Sequence, residues 1–438
     1  MVAPENLDLV VQVRILTGQF MINFKAIILA AGRGTRMRSE VPKVLHKVCG
    51  KPVLDYVLDI TKSLRSLKTY IVVGYDSQKV RDAVGGNVQF VGQDRLLGTA
   101  DAVRRCGPYL KGYKGTILVL CGDTPLLSRD IVAALLKQHH RSGASATVLT
   151  ANVDNPHGYG RILREAGFII SIREEKDASE ADKNIKEINT GVYCFNSKNL
   201  FEILKKVKRN SQTKEFYLTD IIELLLANGK KVETFITRDE TTALGINTRE
   251  DLAQAQSIIR KRIQAKHMLS GVTIVDPLTT FIEAGVTIGR DTVIHPMTVI
   301  HTDVHIGRNC SIGPMARLRP GTRIRDGVEI GNFTEVSRTT IGRGVINKHF
   351  SFLGDAVLGQ GVNIGAGVVT ANFDGEKKNK TFIGAQAFIG SDVILVAPNR
   401  IGAGAIVGAG SVVARGKNIP AGTIAVGVPA RVIKKVKK

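Results

Sequence analysis

The 438-residue chain contains no tryptophan and only five cysteines, and both shortages narrow what it can be. Cys49, Cys106, Cys121, Cys194 and Cys310 are odd in number, scattered and without Cys-x-x-Cys spacing. That argues against a disulfide framework or a thiolate zinc site and for a reducing, cytoplasmic compartment. No apolar run approaches the roughly 18–20 residues of a membrane-spanning helix, so no membrane insertion is expected. Acidic residues are also scarce: 39 Asp and Glu stand against 61 Lys and Arg, for a formal net charge of +22. Yet no basic stripe interleaved with aromatic residues accompanies that excess, so nucleic acid is not the expected partner. Small phosphorylated substrates account for part of the charge, and the lysines of 434–438 read as a solvated end.

What the chain has in abundance is glycine, 45 residues, and Gly32 and Gly34 are the most informative. Phe24-Lys25-Ala26-Ile27-Ile28-Leu29 is an apolar run rich in branched side chains, as a buried strand requires. It stops at Ala30-Ala31-Gly32-Arg33-Gly34-Thr35-Arg36. Without a Cβ, Gly32 and Gly34 let the backbone turn tightly and approach a ligand. Turn amides backed by a helix N-terminus suit a phosphate, and Arg36 and Lys43 add two cations nearby. The Lys-Ser/Thr pair of a Walker loop is missing, and no third glycine stands in dinucleotide register. The turn predicts a nucleotide site of another type.

A chain this long exceeds one ordinary core. From Phe24 to about Gly245, apolar strands (70–74, 116–120, 146–149) alternate with helical stretches (130–139, 220–227). That alternation predicts a mostly parallel sheet with helices on both faces and ligands at the carboxyl ends of its strands. Residues 248–267 read as a linker helix, acidic at its start and basic at its end in accord with the helix dipole. Beyond it, positions 288, 294, 300, 306, 312, 318, 324, 330 and 336 are all aliphatic, and the residues four places later are modest in size. A strict period of six fits neither helix nor ordinary strand; it describes one face of a triangular β-solenoid. The beat returns at Ile383, Ile389, Leu395, Ile401 and Val407, after an interruption at 372–381 that reads as a functional loop. The expected divisions are an extension at 1–20 (disordered, or ahead of a true start at Met21), an α/β domain at 21–247, the helix at 248–267, the solenoid at 268–433 and a basic tail at 434–438.

LAAGRGTRMRSEVPKVLH, residues 29–46, resembles the signature of the sugar-1-phosphate nucleotidyltransferases. Met37, Ser39 and His46 make it most similar to their N-acetylglucosamine-1-phosphate uridylyltransferase branch. The hexapeptide half resembles the left-handed parallel β-helix of the hexapeptide-repeat acyltransferases, a resemblance that implies trimers with active sites between subunits. The order of the two, joined by a helix, resembles the bifunctional uridylyltransferase and glucosamine-1-phosphate N-acetyltransferase family over residues 21–433. The implied fold is a Rossmann-like α/β nucleotidyltransferase followed by the β-helix. The implied protein is a cytoplasmic homotrimer of UDP-N-acetylglucosamine and peptidoglycan synthesis. It would take UTP and N-acetylglucosamine-1-phosphate at one site, and acetyl-CoA and glucosamine-1-phosphate at the other, with Mg2+ as cofactor.

Uridylyl transfer brings two anions within bonding distance, so positioning and charge neutralisation dominate it. By resemblance, Arg36 and Lys43 are catalytic phosphate contacts, and Leu29, Ala30, Ala31, Gly32, Gly34, Gln93, Gly98 and Thr99 bind the nucleotide. Gly160, Glu174 and Asn189 match sugar contacts. Asp123 and Asn247 match the Mg2+ ligands, hard oxygens of the kind that ion prefers. Cys121 stands where a Tyr is common in the family.

Acetyl transfer to an amine needs a base and an oxyanion donor. His349 aligns with the family's base, and Glu335 with the carboxylate that orients it. Arg319, Asn363 and Lys378 fall on acceptor positions; Asn372, Ser391 and Ala409 fall on coenzyme A positions. Three residues depart: Ser337 replaces a phosphate-binding Lys, and Phe352 and Phe373 replace tyrosines. Strand alternation points successive residues to opposite faces, so the adjacent Arg338 is no automatic substitute. The departures leave two further readings open, a monofunctional uridylyltransferase on a trimerising scaffold or an acetyltransferase of altered acceptor. A basic solenoid that docks nucleic acid or anionic surfaces is a third.

Overall fold

The computed structural model describes residues 22–74 and 76–436; the expected extension at 1–20 lies outside them. The chain forms two compact units. One takes the described residues up to His46 together with Pro52–Ala255, the other Lys47–Lys51 together with Gln256 onward.

The first unit is built on a sheet ordered Val232–Thr237, Ala146–Asn152, Glu187–Asn196, Thr116–Cys121, Phe24–Ala30, Thr69–Val73, Val88–Gly92. Neighbours along this order run parallel except where Glu187–Asn196 pairs with the strands beside it. Successive residues of a strand face opposite sides. Ile27 and Val119 therefore join one apolar cluster with Val103, Leu200 and Ile221, while Ile28 and Leu118 join another with Leu54, Val57 and Leu135. Helices Thr99–Arg105, Ser197–Leu204 and Asp220–Ala227 cover the first face, and Val53–Ser63 and Arg129–Ser142 the second. Burial on both faces is why the strands read as continuous apolar runs rather than alternating ones.

The expected helix at 248–267 is present as Arg249–Leu269. Its later half belongs to the second unit, where Gln264 Nε2 donates to the carbonyls of Pro277 and Thr280, both at 2.8 Å, and Ile263 packs on the solenoid core. That contact closes the first coil, as a solenoid's open end requires.

From Thr273 onward, short strands stack into three parallel sheets, each strand pairing with the third strand after it. Ile294 lies beside Ile312, Ile300 beside Leu318, and Ile306 beside Ile324, so the period of six becomes three aliphatic columns. The beat lapses after Val336 because two successive coils are each a residue short: Ile324 pairs with Ile341, and Ile341 with Leu358. The fold nevertheless continues unbroken through 337–371, with Leu353, Leu358 and Ile364 in the same core. The extra residues of 372–381 leave at one corner, close on themselves through a Phe373–Lys378 bridge, and rejoin at Thr381. Lys434 and Lys435, expected in a solvated basic tail, lie in a final exposed strand, Arg431–Lys435, antiparallel to Thr423–Val426. No helix among the described residues is long and apolar enough to cross a membrane.

Candidate functional site

The Gly32 turn sits at the carboxyl end of strand Phe24–Ala30, as open α/β sheets place their ligands. The expected helix is missing behind it. Gly34, at φ 62°, leads instead into a single 3-10 turn, Thr35–Met37, and a second, Lys43–Leu45, comes after it. A Cβ on Gly34 would stand 2.7 Å from the Cβ of Lys43, so the glycine is what lets Lys43 close over the turn. The cation that faces a ligand is thus a side chain held against the loop rather than the end of a helix.

A cleft of about 360 Å3 opens beside this turn. It brings together Leu29, Ala30, Ala31, Gly32, Lys43, Gln93, Gly98, Thr99 and Asp123 of the expected set. Gln93 is buried, and its Nε2 donates to Gly98 O and to Asp101 Oδ2, both at 3.0 Å, which fixes the amide plane. Gly98 takes φ 101°, and a Cβ there would meet the backbone of Phe216 at 2.5 Å. Thr99 Oγ1 accepts from Leu218 N at 2.9 Å.

Asp123 lies just past the end of strand Thr116–Cys121, and its carbonyl accepts from Ile246 N at 2.9 Å, which draws Asn247 to the same place. Lys43 Nζ donates to Asp123 Oδ2 and, at 3.2 Å, to Asn247 Oδ1. Arg36 lies outside the cleft lining and donates from Nη2 to the same Asn247 oxygen at 3.1 Å. Asp251 is the residue that sequence reasoning missed here. Its Oδ2 accepts from Asn247 N and Thr248 N, both at 2.8 Å, while Thr248 Oγ1 accepts from Asp251 N at 3.1 Å. This reciprocal pair is a capping box at the start of Arg249–Leu269, and Thr-Arg-Glu-Asp was its visible signal. Among the described residues no group of three or more His, Cys, Asp or Glu could hold a metal. The oxygens of Asp123 and Asn247, however, meet around one positive charge, the donor set and convergence that Mg2+ uses together with phosphate oxygens and water.

The expected sugar contacts sit next to this cleft. Asn189 N donates to Gly160 O at 2.8 Å, and Asn189 Nδ2 donates to Tyr193 Oη at 2.7 Å. Glu174 Oε1 accepts from Thr219 Oγ1 at 2.9 Å, and burial pushes its carboxyl above the usual range. Cys121 lies between the two groups. Burial, then the charge of Asp123, push its thiol up to about 12, with Lys43 opposing and Glu174 adding to the rise. A neutral thiol there is a packing group, not a nucleophile.

In the second unit the expected residues fall along one sheet face and its two corners. At one corner Gly367 N bonds Phe350 O, Asp392 N bonds Ala366 O and Gly410 N bonds Ser391 O, at 2.7–2.8 Å, which stacks the turns bearing His349, Ser391 and Ala409. Asn363 lies in the strand that enters this corner. Asn372 does not join them. It is at the opposite corner, where its Nδ2 donates to Asp355 Oδ2, beside the loop that carries Lys378. Among the hydrogen bonds of the described residues Glu335 meets the sheet rather than His349: its rung neighbour is Arg317, and its Oε1 accepts from Arg319 Nη1 at 2.9 Å. His349 is exposed in the turn after Asn347.

The strand alternation expected to carry Arg338 away from residue 337 does not hold. The strand Thr334–Ser337 ends before it, and at φ 48° Arg338 folds back rather than alternating. Its Nη1 donates to Ser337 Oγ at 2.8 Å, while Nε and Nη2 grip Asp355 at 2.7 Å each. A guanidinium therefore stands over the fully buried Ser337. Burial pushes Asp355 up, but hydrogen bonds from Arg338 and Asn372 outweigh it and hold the carboxyl below its usual range.

Comparison with known proteins covers both units. Residues 25–265 match the nucleotidyl transferase family and residues 285–320 the bacterial transferase hexapeptide (six repeats) family. The chain is 43% identical to the bifunctional protein GlmU of Geobacillus thermodenitrificans over 95% of its own length and 97% of that protein's. It is 44% identical to the bifunctional protein GlmU of Pelotomaculum thermopropionicum (86% and 90%) and 39% identical to that of Listeria monocytogenes (86% and 90%).

Proposed function

The chain belongs to the family of bifunctional GlmU proteins, and we propose that this transferase makes a nucleotide sugar in two steps. Acetyl passes from acetyl-CoA to the amine of glucosamine-1-phosphate, and uridylyl passes from UTP to the N-acetylglucosamine-1-phosphate so formed. The observation that carries the reading is the convergence of Lys43, Arg36, Asp123 and Asn247 beside a glycine turn that lines a nucleotide-sized cleft.

In uridylyl transfer a phosphate oxygen of the sugar attacks the α-phosphorus of UTP, and pyrophosphate leaves. The amides of Leu29–Gly32 cradle the nucleotide, and Gln93, with its Nε2 committed, keeps its carbonyl oxygen for the base. Gly160, Asn189 and Glu174 hold the sugar. Lys43 and Arg36 neutralise the charge that gathers on the leaving pyrophosphate. Mg2+, when bound through Asp123 and Asn247, would supply further positive charge to the phosphates.

In acetyl transfer His349 takes the proton from the acceptor amine, with Ser391 and Ala409 stacked at the same corner for coenzyme A. Arg319 and Arg338 supply cations for the acceptor phosphate. An exposed apolar column, Met297, Met315, Phe333 and Phe350, climbs that same corner. Such a stripe suits burial against neighbouring copies, which supports a homotrimer. A cytoplasmic enzyme accords with five free cysteines.

The test is one incubation with acetyl-CoA, glucosamine-1-phosphate, UTP and Mg2+, following free thiol and pyrophosphate separately. Both should appear. His349→Ala should abolish thiol release yet leave pyrophosphate release from N-acetylglucosamine-1-phosphate unchanged. No thiol release, with pyrophosphate appearing only when N-acetylglucosamine-1-phosphate is added, would leave the solenoid a scaffold.

A further inference from the structure

The two oxygens proposed to hold the metal are already engaged, and by cations of the chain itself. Lys43 Nζ reaches both Asp123 Oδ2 and Asn247 Oδ1, and Arg36 Nη2 adds a second donor on the Asn247 oxygen. The side chains of Lys43 and Asp123 are 13% and 21% exposed, so water offers the pair limited competition. We propose that Lys43 is an internal stand-in for the divalent cation, holding its ligands in the nucleotide-free protein and leaving them only when a triphosphate offers its ammonium another anion. The inference rests on the metal-site reading above and deepens it.

The physical argument is one of substitution. A divalent ion arriving alone meets an ammonium on Asp123 Oδ2 and both an ammonium and a guanidinium on Asn247 Oδ1, and it must displace them to use those oxygens together. It would place two like charges beside itself in a partly desolvated pocket, and like charges at a few ångströms repel strongly there. A nucleoside triphosphate would remove the obstacle, because Gly32 and Lys43 line the same cleft and phosphates seated on the turn would accept the charge that Asp123 gives up. Each ligand then makes room for the other, so metal and nucleotide bind with positive coupling, and the coupling is reciprocal. The arrangement also keeps Asp123 compensated in the empty enzyme; a partly buried carboxylate left alone would cost more than the pair.

The prediction is counterintuitive for a residue in the active site: deleting the lysine charge should strengthen metal binding to the free enzyme. Lys43→Met keeps the aliphatic stem that packs on Gly34. Mn2+ is the probe, its free fraction read by electron paramagnetic resonance on full-length protein without nucleotide. Lys43→Met should bind Mn2+ roughly tenfold more tightly than the unmodified chain, within the 5–150-fold range of ordinary couplings. The gain in Mn2+ affinity on adding a non-hydrolysable UTP analogue should shrink by the same factor. Equal or weaker Mn2+ binding by Lys43→Met overturns the inference. Asp123→Asn separates the two levels of the argument. Loss of Mn2+ binding in that variant supports the metal site, whereas Mn2+ binding indifferent to Asp123 overturns the metal-site reading itself.

Discussion

Adding a single methyl group at Gly34 should separate the two activities. Gly34 adopts φ 62°, a conformation that costs an alanine about 1–2 kcal/mol. The new Cβ would lie 2.7 Å from Lys43 Cβ, where ordinary contact begins at 3.4 Å, so the two must part by roughly 0.7 Å. Lys43 sits on a three-residue 3-10 turn whose other anchor is its ammonium between Asp123 and Asn247. The displacement therefore reaches the ammonium. Since about 1 Å of misplacement at a reacting centre costs roughly 10²-fold, Gly34→Ala should slow pyrophosphate release by about that factor. Stability should fall by only about 1–3 kcal/mol. Thiol release, which belongs to the other unit, should not change. Gly32→Ala is the internal contrast, because nothing lies within 4 Å of a Cβ there; its fold should be unaffected, and any lost rate measures how closely nucleotide approaches the turn. A folded Gly34→Ala protein releasing pyrophosphate within about threefold of the parent would refute the coupling of turn to lysine.

Three other expectations rest on particular contacts. Arg338→Ala should raise the KM for glucosamine-1-phosphate about tenfold to hundredfold, the worth of a charge-assisted contact, with pyrophosphate release unaffected; an unchanged KM would favour an altered acceptor. Asp251→Ala strips two backbone bonds from the segment holding Asn247 and should cost about 1 kcal/mol in a denaturant titration and weaken Mn2+ binding. His139 is buried against Thr147 Oγ1 at 2.8 Å, and burial, helped by His140, lowers its pKa to about 4. The folded state therefore resists protonation that the unfolded chain accepts near 6.5. Stability attributable to this group should be intact above pH 6.5 and fall by about 3 kcal/mol as pH drops to 4. His139→Asn should flatten that part of the pH profile, and an unchanged profile would remove His139 as its cause.

The strands and the solenoid were legible because burial writes itself into sequence at a fixed interval. Ile294, Ile300 and Ile306 face inward every six residues, and nothing but a three-sided coil repeats so. Where the beat lapses at 337–371, the cause is two successive coils each one residue short, a change that shifts the count without disturbing the column. The Gly32 turn was legible for its residues but not for its continuation, since a three-residue 3-10 turn has no periodicity to read. Arg338 was misjudged because alternation holds only inside a strand, and whether the strand ends at Ser337 depends on a left-handed residue that sequence alone rarely betrays. Asp355, which gathers Arg338 and Asn372, carried no local signal at all. Its partners lie a coil away in either direction, seventeen residues each, and only stacking brings them together.

That stacking gives the second unit the properties of a staircase with interchangeable steps. Within the three sheets each strand pairs with the coil below and the coil above, and adjacent strands in a sheet lie about 4.8 Å apart. Adding or removing one whole coil would alter the height by a single step and leave every other coil's partners in place. The residues proposed for acetyl transfer begin at Arg319, so the steps from Thr273 to Pro314 bear none of them. Evolution can lengthen or shorten that lower flight in increments of one coil, while the landing that carries the chemistry travels intact.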